Sequence, residues 1–425
     1  MNGGIRTLVS AAVVCTVLGV SPSRATIGTV STQLANDDAL RALLADPVGP
    51  SVVDVPAGVH RGDWIIRRSV TLRGAPGAVL EGTGAGTVVS VEADDVLLDN
   101  LVIRHSGRRN TTEDAGIKAK GRRVRITDVR VEQTLFGILL HECRDCTLER
   151  DHVTGEGDDT EVRGDGIKLW ESHGSIVRRC VIERSRDLVV WYTRGALLEG
   201  NVVRRSRYGS HFMYAHDAIV RDSRFEDDVV GVFVMYSMRL RVENNVMAGA
   251  RGAAGVGLGF KDSDGVEVRG NWLVANTTGS YLDNTPRTEK DPVTFAGNVL
   301  ALNDVALRLH SSEKGLRLHG NDFRDDAVVI EVDGGGNALR VDVQGNHFSD
   351  YEGYDLDRDG VGDVPYEVKA LSSELTEAHP SLKFFHGTAA MGVIDAVAHA
   401  VPVLSAKRLL VDPQPQMNGI KVRSP

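Results

Sequence analysis

A five-residue motif recurs along most of this chain. It reads GILLH at 137–141, GIKLW at 166–170, DLVVW at 187–191, GSHFM at 209–213, GVFVM at 231–235, GLGFK at 257–261, GSYLD at 279–283, DVALR at 304–308 and AVVIE at 327–331, with successive starts 21 to 29 residues apart. A second series, Asn201, Asn245, Asn271, Asn298, Asn321 and Asn346, keeps the same rhythm, each asparagine opening a short apolar segment. A period of about 22 residues holds two or three short strands with Gly and Asn turns and leaves no room for a helix, which describes one coil of a solenoid. The fold expected is all-β, a single right-handed parallel β-helix. The asparagines should stack at one turn, bonding along the ladder and taking left-handed backbone conformations. Composition agrees: 46 glycines and 5% aromatic residues belong to a chain of many turns, and no apolar stripe at helical spacing runs through the repeats.

Alternation within the motif separates inside from outside, because successive strand side chains face opposite ways. Counting the first residue as zero, positions one and three hold Ile167, Leu169, Leu188, Val190, Phe212, Val232, Val234, Leu258, Phe260, Leu282, Val305, Leu307, Val328 and Ile330. These point inward. Position four then points outward and reads His141, Trp170, Trp191, Met213, Met235, Lys261, Asp283, Arg308, Glu331, while position two adds Lys168, Val189, His211, Phe233 and Tyr281. From Lys261 onward the row alternates in charge, as a solvated sheet does. From Trp170 to Met235 it is apolar and aromatic, an exposed patch roughly 15 Å long at the usual strand spacing, and such patches mark interaction sites.

The ends carry other signals. Arg6, the apolar run Leu8–Val20 and the small residues Ser23 and Ala25 form a cleavable export signal over residues 1–25, the run being too short to span a bilayer. Residues 26–50 should cap the first coil through a short helix, with Asn36 or Asp37 as N-cap and Leu40, Leu43 and Leu44 on one side. The solenoid is expected over 51–350, an acidic loop over 351–366, and a tail over 367–425 whose helical stretch 389–404 either covers the last coil or docks a partner. A formal charge of −9, with the Arg pairs scattered among acids, argues against nucleic acid as partner.

Four groups of residues carry chemistry. His211, Met213 and Met235 are soft donors on one outer face, with His216 just beyond the strand; thioether and imidazole select Cu(I) over hard ions. The same face, with Trp170, Trp191, Phe233 and Tyr214, reads equally as a protein-contact surface with no metal. Asp355, Asp357, Asp359 and Asp363, with Gly360 between them and the Val361 carbonyl at position seven, have the spacing of a Ca²⁺ loop, although Tyr366 stands where a bidentate Glu closes an EF-hand. Cys143 and Cys146 form a C-x-x-C at a turn, without a second pair at zinc spacing, and read as structural thiols. Asp262 and Asp283, taken as neighbours one coil apart, are the candidates for a polysaccharide lyase, hydrolase or epimerase, since such chemistry needs two carboxylates about 5 to 9 Å apart across one bond.

The stretches RGDGIKLWES (163–172) and RYGSHFMYA (207–215), the outward Met235 in VMYS, and NHFSDYEGYDLDRDGVGDVPY (346–366) together resemble the NosD family, exported proteins that mature nitrous-oxide reductase. The similarity runs over nearly the whole chain past the signal. It implies a β-helix of the carbohydrate-binding-and-hydrolase type and a non-enzymatic periplasmic role. The implied partners are an ABC transporter's permease and ATPase, a copper chaperone and nitrous-oxide reductase, whose copper–sulfide centre is being assembled. His211, Met213, Tyr214, Arg163, Asp165 and Trp170 fall on the family's motif.

Overall fold

The structure, a computed structural model, describes residues 37–157, 162–333, 337–369, scattered positions between 375 and 397, and 408–421. The signal segment and most of the tail stretch 389–404 lie outside the described residues. Three parallel sheets run the length of a β-helix: two of 13 strands, from Val52–Val55 to Asp342–Gln344 and from Gly58–Arg61 to His347–Phe348, and one of 12 strands, from Trp64–Ile66 to Val328–Val332. Most strands of the first two sheets have only three or four residues with a single inward side chain, so each coil turns sharply three times. The third sheet carries the repeated motif, in strands of up to six residues such as Tyr208–Met213 and Val230–Met235.

Inward residues of all three sheets merge into one core, in which Phe212, Phe225, Phe260 and Phe295 are buried. A glycine opens the motif where neighbouring backbones crowd: a Cβ on Gly209 would lie 2.5 Å from the Gly231 carbonyl oxygen, and one on Gly231 would lie 2.4 Å from that of Gly257. The asparagine ladder forms inside the turn. Each Nδ2 donates to the next Oδ1 from Asn245 through Asn271, Asn298 and Asn321 to Asn346 at 2.9–3.0 Å, and the Asp412 carboxylate closes the row at 2.8 Å. Their expected left-handed backbone is displaced by one residue. Positive φ belongs to the preceding Asn244, Gly270, Gly297, Gly320 and Gly345, which make the turn while the ladder asparagine begins the next strand.

The register of the last two coils also differs from the expected one. Ser280 pairs with Leu307 and then Ile330, and Asp283 pairs with His310, so the motif there starts two residues later than DVALR and AVVIE suggest. A slip of two preserves the face, hence Arg308 and Glu331 still point outward, but in the row of Tyr281 rather than that of Asp283.

Both ends are covered. Helix Asp37–Ala45 lays Leu40 and Leu44 on the first coil with Leu43 half-buried. The Asp37 carboxylate accepts from the Arg61 backbone N–H and pairs with His60, tying the helix to the sheet edge. At the other end an antiparallel pair, Tyr366–Lys369 with Arg408–Asp412, closes the core; Tyr366 stacks on Phe348 at 3.8 Å, and Leu409 and Leu410 are buried. This strand pair covers the last coil; the helical stretch 389–404, read as covering that coil or docking a partner, lies mostly outside the described residues.

Candidate functional site

The patch sits on the outer face of the third sheet, where Trp170, Trp191, Met213 and Met235 align in register across four coils and Val189, His211 and Phe233 align beside them. Phe212 lies in the core while His211 and Met213 lie across the sheet wall from it, so the expected parity holds. The face is more closed than an exposed patch. His211 is 8% exposed, Lys168 7% and Val189 0%, because the position-two row is roofed by its own neighbours. The Lys168 ammonium lies over both Trp170 and Trp191, at 5.0 and 5.6 Å, and donates to Glu113 at 2.6 Å from a loop that crosses the sheet.

His211 has a defined place. Its ring stacks on Tyr208 at 4.7 Å and meets the edge of Trp191 at 5.4 Å. Nε2 stands 3.4 Å from the Met235 Sδ in the next coil, so imidazole and thioether converge between coils rather than along one strand. Nδ1 stands 3.8 Å from Asp187 Oδ2, beyond hydrogen-bond length, and has no other partner among the described residues. Asp187 is fully buried and takes two hydrogen bonds from the Arg207 guanidinium. Burial alone would raise its carboxyl; His211 and Arg207 outweigh that and hold it below the usual carboxylate range. Glu113 is balanced in the same way, burial opposing while Lys168, His141 and Lys118 keep it ionised, and burial holds His141 below the ordinary imidazole value.

A feature unremarked in the sequence borders this cluster. Tyr192, Tyr214 and Tyr236 stack at 5.3 and 5.1 Å, continuing from Trp170 at 5.0 Å. All three have φ near +50° and sit at position five, immediately after the outward row. Tyr192 and Tyr214 are the exposed rim of the patch. Their equal spacing of 22 residues was a readable signal.

Other candidates fare differently. His216 belongs to a neighbouring row, between Arg194 and Met238, and is not brought to His211. Asp283 pairs in register with Lys261, from which its carboxylate accepts at 3.0 Å; Asp262, one residue along, donates its backbone N–H to the Asp283 carbonyl at 3.0 Å, and its carboxylate accepts from Asn284 in the turn. The charge row is a set of ion pairs that includes Lys261 with Asp283 and Arg308 with Glu331. Cys143, Cys146 and Cys180 are free and buried, with burial pushing the Cys180 thiol up. In the acidic loop, ligand oxygens of Asp355, Asp357 and Asp359 lie within 4.8 Å of one another, while the Asp363 carboxylate is turned to the Leu356 N–H at 2.7 Å and Val361 pairs with Gln416.

A family profile described as periplasmic copper-binding protein (NosD) matches residues 149–353, the span that carries every residue of the patch. Two curated relatives, each called a probable ABC transporter binding protein NosD, extend the match. The one from Stutzerimonas stutzeri is 26% identical over 401 residues, 88% of this chain and 88% of its own length. The one from Pseudomonas aeruginosa is 26% identical over 378 residues, 82% of this chain and 84% of its own. The chain is similar to NosD proteins over most of its length. Solved structures bear on the fold alone: the A-module of an Azotobacter vinelandii mannuronan C-5 epimerase superposes with a TM-score of 0.59 at 15% identity, covering 75% of this chain and 97% of the module.

Proposed function

We propose that this chain is a non-enzymatic periplasmic accessory protein for copper-centre maturation of nitrous-oxide reductase, receiving and passing Cu(I) at His211, Met213 and Met235. The observation that carries the reading is the 3.4 Å approach of His211 Nε2 to Met235 Sδ on a face outside the core. Metal bonds of about 2.0 Å to nitrogen and about 2.3 Å to sulfur, at a tetrahedral angle, set the two donors roughly 3.5 Å apart, and this donor pair suits Cu(I). Met213, next to Met235 in register, supplies a further thioether. The rim of Trp170, Trp191, Phe233 and Tyr214 is the surface offered to a copper chaperone, to the reductase and to the permease and ATPase of an ABC transporter. Copper is cargo here, so a site with few donors, walled by aromatic rings, suits release as much as capture. His216, beside Met238, belongs to the next row and is a separate pair of soft donors.

A Cu(I) competition titration against a chromophoric chelator tests this. The wild type should hold about one equivalent, and the His211→Ala/Met235→Ala variant should bind at least tenfold more weakly, the scale of losing a ligand pair. Failure of the wild type to retain copper, together with turnover of any member of a uronate polymer panel, reverses the reading in favour of a polysaccharide-active enzyme.

We further propose that the loop of Asp355, Asp357, Asp359, Val361 and Asp363 takes Ca²⁺, which would fasten the chain beside the terminal coil. The spacing and the approach of three carboxylates to within 4.8 Å support it. Millimolar Ca²⁺ should raise the melting temperature of the wild type by a few degrees through binding linkage, and the Asp357→Asn/Asp359→Asn variant should show no such rise. Identical wild-type melting in Ca²⁺ and in chelator removes the site.

A further inference from the structure

Coils on either side of Asp187 open the motif with glycine, at Gly166 and Gly209, whereas the coil between them opens with the buried Asp187, which pairs with Tyr208 across a register shift next to His211. Removing a carboxylate from water is costly unless it is paired; Asp187 is hydrogen-bonded by the Arg207 guanidinium, and the His211 Nδ1 faces it at 3.8 Å. We propose that Asp187 is the positioning residue of the soft-metal site: it holds His211 with Nδ1–H facing the carboxylate and leaves the Nε2 lone pair facing Met235 Sδ. The inference rests on the copper reading above and deepens it.

The surroundings leave the imidazole little freedom. Tyr208 covers one face at an interplanar angle of 25°, the Trp191 edge closes another side at 89°, and Arg207, which bonds Asp187, also lies over Tyr208 at 5.1 Å. Carboxylate, guanidinium, phenol ring and imidazole thus form a closed circuit around one histidine. A neutral imidazole carries one N–H. An ionised carboxylate only accepts, so it selects the tautomer with the proton on Nδ1. The Nε2 and the Met235 sulfur then present two electron pairs 3.4 Å apart with no proton between them. Such a pair is complementary to a soft cation, whereas the opposite tautomer would close the same 3.4 Å contact as an Nε2–H···S hydrogen bond and block the site. Outer carboxylates that orient a ligating histidine change metal affinity by about 10–100-fold when removed.

The test uses the full-length protein labelled with ¹⁵N-histidine, without metal, and reads the ring tautomer from long-range N–H correlations. His211 of the wild type should be the Nδ1–H form. Asp187→Ala should shift it toward the Nε2–H form, which free imidazole favours, and should weaken Cu(I) binding by about 10–100-fold. Asp187→Asn, which keeps the volume but removes the carboxylate, should move both readouts in the same direction, so a misfolded alanine variant leaves the question decidable. An Nε2–H wild type, or an asparagine variant unchanged in tautomer, overturns the assignment whatever copper does. A wild type that holds no Cu(I) but whose tautomer follows residue 187 keeps the positioning role and overturns the copper reading instead.

Discussion

Phe212→Ala is expected to destabilise the protein by about 3–5 kcal/mol, the range for emptying a buried phenylalanine site, while Met213→Ala one residue along should cost markedly less. The contrast follows from the wall of the third sheet. Phe212 is fully buried among Val190 and Val234 of the adjoining coils, at a place where nothing can collapse into the space without moving the strands above and below. Met213 is half-exposed on the other side, where flexible neighbours can close over the gap. In a solenoid each coil leans only on its neighbours, so the loss should open the coils around 212 first. Urea unfolding followed by circular dichroism, with amide exchange to locate the opening, measures both. Equal losses for the two variants would place His211 and Met213 inside the core and would remove the outer face on which the copper reading stands.

The face was readable because parity needs only local alternation: Ile167, Leu169, Leu188 and Val190 are apolar at every inward step, and a one-residue error would have turned them all outward. Register in the last coils was harder for the same reason. Val305, Leu307 and Leu309 are all apolar at two-residue intervals, so alternation alone accepts either phase. The asparagine column resolves it: Asn276, Asn303 and Asp326 stand three residues before the position that pairs with Gly279, and they bond to one another along the turn. Closure of the face was not readable at all. It depends on Glu113 reaching Lys168 from 55 residues away and on Arg207 folding back to Asp187, contacts that no periodicity encodes. Asp187 itself was visible as an acid in a glycine column, yet its meaning required seeing which imidazole it faces.

The same column carries a second effect of comparable size. Asn276 and Asn303 each use both ends of the amide: Oδ1 accepts from a neighbouring coil, and Nδ2 donates to the carbonyl of Met247 or Leu273. Asp228 and Asp326 occupy equivalent places. One oxygen of each accepts in the ladder fashion, from the Ser206 N–H and from Asn303, while Oδ2 is buried without a partner. An ionised carboxylate has no donor to offer where asparagine supplies one. Burial accordingly raises both groups, Asp326 to about 6 and Asp228 well above the ordinary value. Because the folded state holds these protons more tightly than the unfolded chain, their contribution to stability is fully present below about pH 4, the unfolded value. It is lost as pH rises through about 6 for Asp326, and the sign is the same for Asp228. Asp326→Asn should therefore match the wild type near pH 4 and exceed it by about 3 kcal/mol at pH 8, as a rise from 3.8 to about 6 implies. Asp228→Asn should gain in the same direction. Urea midpoints across that pH range decide it: an asparagine variant no more stable than the wild type at pH 8 would mean that these carboxyls find donors in the turn, and the column would then carry no proton-linked weakness.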